Sequence, residues 1–321
     1  MLVLQDIIAA QNRIAPYIVR TPLLRIPALD MPLGCQVYLK YEGFQIMGAF
    51  KIRGAMNKAL TLTPEELKCG LVCSSSGNHA QGVACAAQQL GAKSLIVMPA
   101  DVNSVKLAGV AAFGGKVELM DASSSVRQAR VEQLSREMGM VNIHAYADPW
   151  VAAGQGTIGL EITEDLPDVA AVAVPIGGGG LIGGIATAVK GTSSYAKIVG
   201  VEPAGAPRYG KSREAGHPVT LDSTDTLADA TRTDKAHPFN FEITEDKVDQ
   251  LCTVEDASIL KALKLLLDKA KLVAEPSSAM PVAAALEDKL SVGPKDKVVF
   301  VITSGNTDPA LIAHLMKKDM A

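Results

Sequence analysis

The 321-residue sequence has few cysteines, a single tryptophan and an aromatic content of only 4%. Cys35, Cys69, Cys73, Cys85 and Cys252 form no CxxC pair and no paired framework, so they read as buried thiols in a reducing cytosol. An excess of one charge is absent too. Lys plus Arg number 31 against 34 Asp plus Glu, a formal net charge of −3, and no long run of either sign occurs. A polyanion-binding surface, and with it a nucleic-acid partner, is not expected. No window holds the roughly 18 uncharged apolar residues that cross a bilayer. The opening Met1-Leu-Val-Leu-Gln-Asp6 lacks the basic and apolar regions of a signal peptide. These absences point to a soluble, cytoplasmic protein with no membrane partner. What is present is ample material for a core: 48% apolar and 20% charged residues exclude disorder, collagen and coiled coil.

Short β-branched runs recur, each bounded by Gly, Pro, Ser or Asn and followed by a helical stretch. Strands are expected over 37–41, 70–74, 94–98, 116–120, 141–144, 170–175, 197–201 and 297–302. Helices are expected over 82–90, 104–112, 126–138 and 181–190, which are rich in Ala, Leu, Gln and Arg. The alternation, with strands apolar on both faces, predicts an α/β protein with parallel sheets. Two domains are expected, with the N-terminal segment packing on the second. The Pro-, Gly- and charge-rich stretch 204–241 reads as surface loops over the larger domain.

Gly177, Gly178, Gly179 and Gly180 follow a strand and open a helix. Consecutive glycines let backbone amides converge on an anion where the helix dipole also favours negative charge. Gly178, Gly180 and Gly183 also satisfy G-x-G-x-x-G, and Glu202 ends the next strand, so an NAD-linked enzyme is one reading. A turn that merely allows close helix–strand packing is another. Lys51 follows an aromatic at the start of a helical stretch, in Gly48-Ala49-Phe50-Lys51-Ile52-Arg53-Gly54-Ala55. Ser75-Ser76-Gly77-Asn78-His79 follows a strand directly and offers hydroxyls, an amide and free backbone donors to a carboxylate or phosphate. In isolation the lysine reads equally as a solvated side chain, and the Ser/Asn turn as a helix cap.

Together these motifs closely resemble the fold-type II pyridoxal-phosphate enzymes, specifically the serine/threonine dehydratase and serine racemase group. The resemblance runs from Arg20-Thr-Pro-Leu-Leu24 to Thr303-Ser-Gly-Asn306, through Ala153-Gly-Gln-Gly-Thr157, the glycine run and Glu275-Pro276. It implies a tryptophan synthase β-like fold of two three-layer α/β domains with mostly parallel sheets. Residues 1–48 plus 148–321 would form the larger, cofactor-binding domain, and 49–147 a smaller, mobile one carrying the 75–79 loop.

The resemblance also assigns roles. Lys51 would hold pyridoxal 5′-phosphate as a Schiff base, exchange it for the substrate amine and then move the α-proton. Phe50 would pack beside the ring, Asn78 would bond the phenolic oxygen, and the 177–180 backbone would cradle the phosphate. Ser75, Ser76, Gly77, Asn78 and His79 would grip the substrate carboxylate. Ser76 matches the position from which racemases move a proton on the opposite ring face. Glu275 would sit near the ring, or serve only as a helix-end carboxylate. Thr303 aligns with the hydroxyl that faces the pyridine nitrogen. A neutral hydroxyl does not hold that nitrogen protonated, which favours expulsion of a β-substituent over transamination. The activity implied is a threonine/serine ammonia-lyase (dehydratase) type of β-elimination on a small hydroxy amino acid, threonine, serine or a 3-hydroxyaspartate, giving a 2-oxo acid and ammonia. A serine or aspartate racemase is the nearest alternative, and a non-catalytic amino-acid-binding relative another. A homodimer or homotetramer is expected.

Several residues depart from the family pattern. Ala49 replaces a serine, Gly43 a frequent asparagine, and Ala230 a glycine of the 228–230 segment. The last would mark a different loop over the substrate. Where racemase-like members ligate a divalent cation, the matching positions are Glu202, Ala206 and Arg208. A guanidinium cannot ligate a cation but can replace its charge, so no metal is expected; the alternative is a solvated Arg208. Arg127 or Arg130 would suit a second substrate carboxylate, or be exposed helix arginines. Tyr146 and Trp150 read as pocket walls or as core aromatics.

Overall fold

The computed structural model describes residues 1–102, 104–121, 123–193 and 195–317. Its strands are β1 (Leu23–Arg25), β2 (Gln36–Tyr41), β3 (Leu71–Ser74), β4 (Ser94–Pro99), β5 (Lys116–Met120), β6 (Val141–Asn142), β7 (Ala171–Pro175), β8 (Lys197–Pro203), β9 (Gln250–Val254) and β10 (Lys297–Ile302). They form a six-stranded sheet ordered β1-β2-β10-β7-β8-β9 and a four-stranded sheet ordered β5-β4-β3-β6. Every pairing is parallel except β1 with β2. The expected α/β class with mostly parallel sheets is what the chain adopts.

The central strands β3, β7 and β10 bury nearly every side chain because the sheets are covered on both faces there. In β10, Val298, Phe300 and Ile302 enter one core while Val299 and Val301 enter another. Strand β3 divides likewise, Leu71 and Cys73 facing one cluster and Val72 the other. This is the two-residue alternation of a strand with no solvent face. The N-terminal helix Leu4–Ile14 packs against Ala152, Ala153 and Ala188 with Ile7 and Ala10.

Strands β1 and β9 lie outside the expected set, and β6 is cut to two residues. Both missed strands lie at sheet edges, where half-buried residues weaken the apolar pattern. The reading of 204–241 as surface loops is corrected. The helix Arg208–Ala215 lies within it and the helix Pro238–Lys247 begins there. Arg208, Tyr209 and Asn240 are fully buried. Charge density misleads here because the Arg208 guanidinium finds acceptors inside the protein, the Gly177 and Ala206 carbonyls and the Thr233 hydroxyl, rather than water.

Candidate active site

The helix Lys51–Ala59 is clamped at its start to the end of β10. The Phe50 amide donates to the Thr303 carbonyl at 3.0 Å, and Ala49 pairs with Ser304 in an isolated antiparallel bridge. From the other side it lies directly on the helix Pro149–Asp165. A Cβ at Gly154 would fall 2.5 Å from the Arg53 carbonyl, and Gln155 Oε1 accepts from the Gly54 amide at 3.2 Å. The 153–157 motif is thus a floor that fixes where the lysine helix begins. Lys51 Nζ donates to the Ala145 carbonyl at 2.9 Å and sits 5.1 Å from the centre of the Phe50 ring. Burial pulls its amine down to about 8, with the nearby Glu275 opposing.

Lys51 opens into a cavity of about 1060 Å³. Its walls come from the segments just after β3, β6, β7 and β10, the carboxyl ends where parallel sheets present ligands. Ser75, Ser76, Gly77, Asn78 and His79 all line it, as do Phe50, Glu275 and Thr303. So do Gly177, Gly178, Gly179 and Gly180, with Gly179 at φ +87° immediately before the helix Gly180–Thr192. A side chain at Gly179 would also meet the Tyr209 hydroxyl at 2.0 Å. Lys51, Phe50, the 75–79 loop, the 177–180 turn, Glu275 and Thr303 are therefore brought together at one cavity.

Their bonding is specific. The Asn78 amide nitrogen donates to both Glu275 oxygens, at 3.1 and 3.0 Å, and its oxygen accepts from Asn306 at 2.9 Å. His79 Nε2 bonds the Ile143 carbonyl at 2.7 Å, and burial holds the ring down at about 3, so it stays neutral. Thr303 Oγ1 lies 2.8 Å from Ser278 Oγ. Burial pushes Glu275 up to about 7, only partly opposed by its bonds from Asn78 and Ser304. Folded Glu275 then binds a proton more readily than an ordinary carboxyl, so its contribution is full below about pH 4.5 and is lost as pH rises toward 7. The variant Glu275→Gln is expected to melt higher than the parent apoprotein at pH 8 and to converge with it near pH 5. A gap in melting temperature that is constant over that range would refute this.

The family model described as Pyridoxal-phosphate dependent enzyme matches residues 14–304. The chain belongs to this family. It is 40% identical over 320 residues to L-threonine ammonia-lyase of Thermotoga maritima, covering 100% of this chain and 79% of that one. It is 37% identical over 311 residues to L-threo-3-hydroxyaspartate ammonia-lyase of Saccharomyces cerevisiae, covering 97% and 95%. Maize serine racemase superposes with a TM-score of 0.94 at 37% identity, over 98% of this chain and 97% of that one. No helix among the described residues is long and apolar enough to cross a membrane.

The residues of this pyridoxal-phosphate-dependent enzyme fit the cofactor. A desolvated lysine, an amide-rich turn at a helix N-terminus and a hydroxyl pair share one cavity, whose size suits cofactor plus amino acid. The NAD-linked reading fails at Glu202: its carboxylate accepts from the Tyr209 and Gly210 amides at 2.9 and 2.8 Å and lies outside the cavity walls.

Of the second-rank candidates, Arg127 and Tyr146 line the cavity. Arg130 does not; it pairs with Glu118 at 2.7 Å. Trp150 is neither wall nor core, being 40% exposed under the Arg13 guanidinium. Ala49 is buried in an apolar cluster outside the cavity, so its missing hydroxyl alters packing there. Gly43 makes room for the Tyr41 ring, 2.3 Å from where its Cβ would stand. Ala230 faces the cavity at negative φ, so alanine there carries no left-handed strain.

Two contributors escaped the sequence reading. His144 Nδ1 accepts from the Tyr146 and Ala147 amides at 3.3 and 2.9 Å and shapes the turn that presents the Ala145 carbonyl to Lys51. Burial lowers its ring to about 4. Ser278 orients Thr303 and also donates to the Ser304 carbonyl. The signal for it was two serines directly after Glu275-Pro276, at a helix start.

Proposed function

We propose that the enzyme is an ammonia-lyase that eliminates the β-hydroxyl of a small hydroxy amino acid, giving a 2-oxo acid and ammonia. The observation that carries this reading is the Thr303–Ser278 hydroxyl pair at the wall of the Lys51 cavity, a neutral group where a carboxylate would favour transamination. The similarity to threonine and 3-hydroxyaspartate ammonia-lyases supports it. Bound pyridoxal phosphate supplies an electron sink for charge developing at the α-carbon. Lys51 would hold it covalently, Phe50 would cover its ring, Asn78 would meet its phenolic oxygen, and the 177–180 amides would take its phosphate. The Lys51 amine, once free, would take the α-proton. The first-turn amides of the helix Asn78–Gln89, with Ser75 and Ser76, receive the substrate carboxylate.

Racemisation is the second reading, favoured by Ser76 lining the same cavity as Lys51. The holoenzyme supplied with L-serine, L-threonine and L-threo-3-hydroxyaspartate decides between them. Formation of 2-oxo acid and ammonia well ahead of the D-isomer is the expected result, and D-isomer without 2-oxo acid would overturn it. A preference for the diacid would place its second carboxylate toward Arg127.

Residues 49–147 are proposed to close as a smaller domain over 1–48 plus 148–321; the separate four-stranded sheet supports this, and contraction on substrate binding in small-angle scattering tests it. A cytoplasmic homodimer or homotetramer completes the reading, to be checked by localisation and by sedimentation.

Arg208 is proposed to replace a divalent cation. Its guanidinium donates to the Ala206 and Gly177 carbonyls, each at 2.6 Å, and to Thr233 Oγ1 at 2.8 Å, with Glu202 at 3.9 Å. Those oxygens are what a cation there would take. Micromolar Mg²⁺ or Mn²⁺ is expected to leave melting temperature and activity unchanged, and a rise in either would sink the proposal.

A further inference from the structure

The glycine turn is held from behind by side chains that do not touch the cavity. The Gly178 carbonyl accepts from Tyr209 Oη at 3.0 Å and from Asn240 Nδ2 at 2.8 Å, while the Gly177 carbonyl accepts from Arg208. Asn240 Nδ2 also donates to the Tyr146 carbonyl at 3.0 Å, one residue beyond the carbonyl that receives Lys51. Tyr209 and Asn240 are fully buried and absent from the cavity wall.

In a trans peptide, C=O and the following N–H point in opposite directions. Tying the Gly177 and Gly178 carbonyls back toward the helices Arg208–Ala215 and Pro238–Lys247 therefore turns the Gly178 and Gly179 amides the other way, toward the cavity. Those two amides have no backbone acceptor among the described residues. Both partners of Asn240 are carbonyl oxygens, so only its NH₂ group can serve them. Its Oδ1 is buried without a partner. Packing alone would favour an apolar residue of this shape over an amide with an unpaired acceptor. The side chain is there for its donors.

We propose that Asn240 and Tyr209 are positioning residues for the cofactor phosphate, aiming the amides of the 177–180 turn without contacting the ligand. The proposal rests on the pyridoxal-phosphate reading of that turn. Its test uses pyridoxine 5′-phosphate and pyridoxine, which have no aldehyde to bond Lys51 and differ only in the phosphate. Dissociation constants are measured on the apoprotein and on Asn240→Leu and Tyr209→Phe.

The unaltered protein is expected to prefer the phosphate ester strongly. Asn240→Leu is expected to lose roughly tenfold or more of that preference, and Tyr209→Phe a smaller share. Pyridoxine binding should hold in both. Variants that keep the full preference overturn the proposal, and so does an equal weakening of both ligands, which is what a general loss of structure gives. Should Asn240→Leu not fold, Tyr209→Phe, which removes one hydroxyl, decides by the same measure. Absence of any phosphate preference in the unaltered protein would instead refute the cofactor reading of the turn.

Discussion

Replacement of Lys51 by alanine is expected to lower kcat by about 10³-fold or more while leaving the fold intact. In the proposed reaction two tasks fall on this one amine: holding the cofactor and moving the α-proton. A base must be unprotonated when needed. At an ordinary value near 10.5 only about one lysine in three thousand is free base at pH 7. Burial brings Lys51 to about 8, which raises that fraction substantially while keeping the amine basic. The other amine at the cavity, Lys106, pairs with Asp229 at 2.8 Å and is not placed to substitute.

Lys51→Arg should be equally inactive, because a guanidinium stays charged and forms no comparable covalent link. Borohydride reduction should fix a pyridoxyl group on Lys51 in the parent enzyme and on neither variant, read by peptide mapping. Stability should move the other way. A lysine held below its ordinary value has its charged form disfavoured by folding, so Lys51→Ala apoprotein should melt no lower than the parent at pH 7. The difference should vanish as pH rises past the ordinary lysine value. An alanine variant retaining more than a hundredth of the parent kcat would refute the assignment.

The parts of this site that sequence revealed are those whose chemistry depends on residue type at fixed spacing. A lysine after an aromatic, a Ser-Ser-Gly-Asn-His turn and four glycines keep their meaning without coordinates, and all three line one cavity. Parts that depend on long-range pairing were silent. Nothing near Asn240 in the sequence announces a bond to Gly178, 62 residues away, and nothing near Ser278 announces Thr303. Edge strands β1 and β9 were missed for a related reason: they are half-buried, and the apolar alternation that marks a strand fades where one neighbour is absent. Residues 204–241 failed differently. Charged composition reads as exposure, but Arg208 buries its charge against backbone carbonyls that composition does not describe.

Arg53, which the motif displays only as a neighbour of Lys51, carries the second large prediction. Its side chain is fully buried between Glu42 and Glu161. It donates to Glu42 at 2.8 and 2.9 Å and to Glu161 at 2.6 and 2.9 Å, a bidentate grip on each carboxylate. Lys40, also buried, bonds Glu161 and the Thr21 carbonyl, each at 2.6 Å, so two acids face two bases. This cluster joins β2, the lysine helix and the helix Pro149–Asp165, and so fixes Lys51 against the larger sheet. Removing one member of a buried, satisfied network leaves a charge without compensation, at a cost of about 3–5 kcal/mol. Arg53→Leu is accordingly expected to lower stability by that amount in urea unfolding, or to prevent folding. Arg53→Lys keeps the charge but cannot bridge both carboxylates, and should lose less. Adding Glu42→Gln to Arg53→Leu should restore part of the loss, since it removes a carboxylate left unpaired.

The pH dependence follows from Glu161. Burial would raise its carboxyl, yet Arg53 and Lys40 hold it below the ordinary range. That contribution is present above the ordinary carboxylate value and is lost as pH falls through the depressed one. In the Arg53→Leu variant the loss should begin at higher pH, because the stronger of the two cations holding Glu161 down is gone. An Arg53→Leu protein as stable as the parent, with an unchanged acid limb, would show that the cluster is not what anchors the lysine helix.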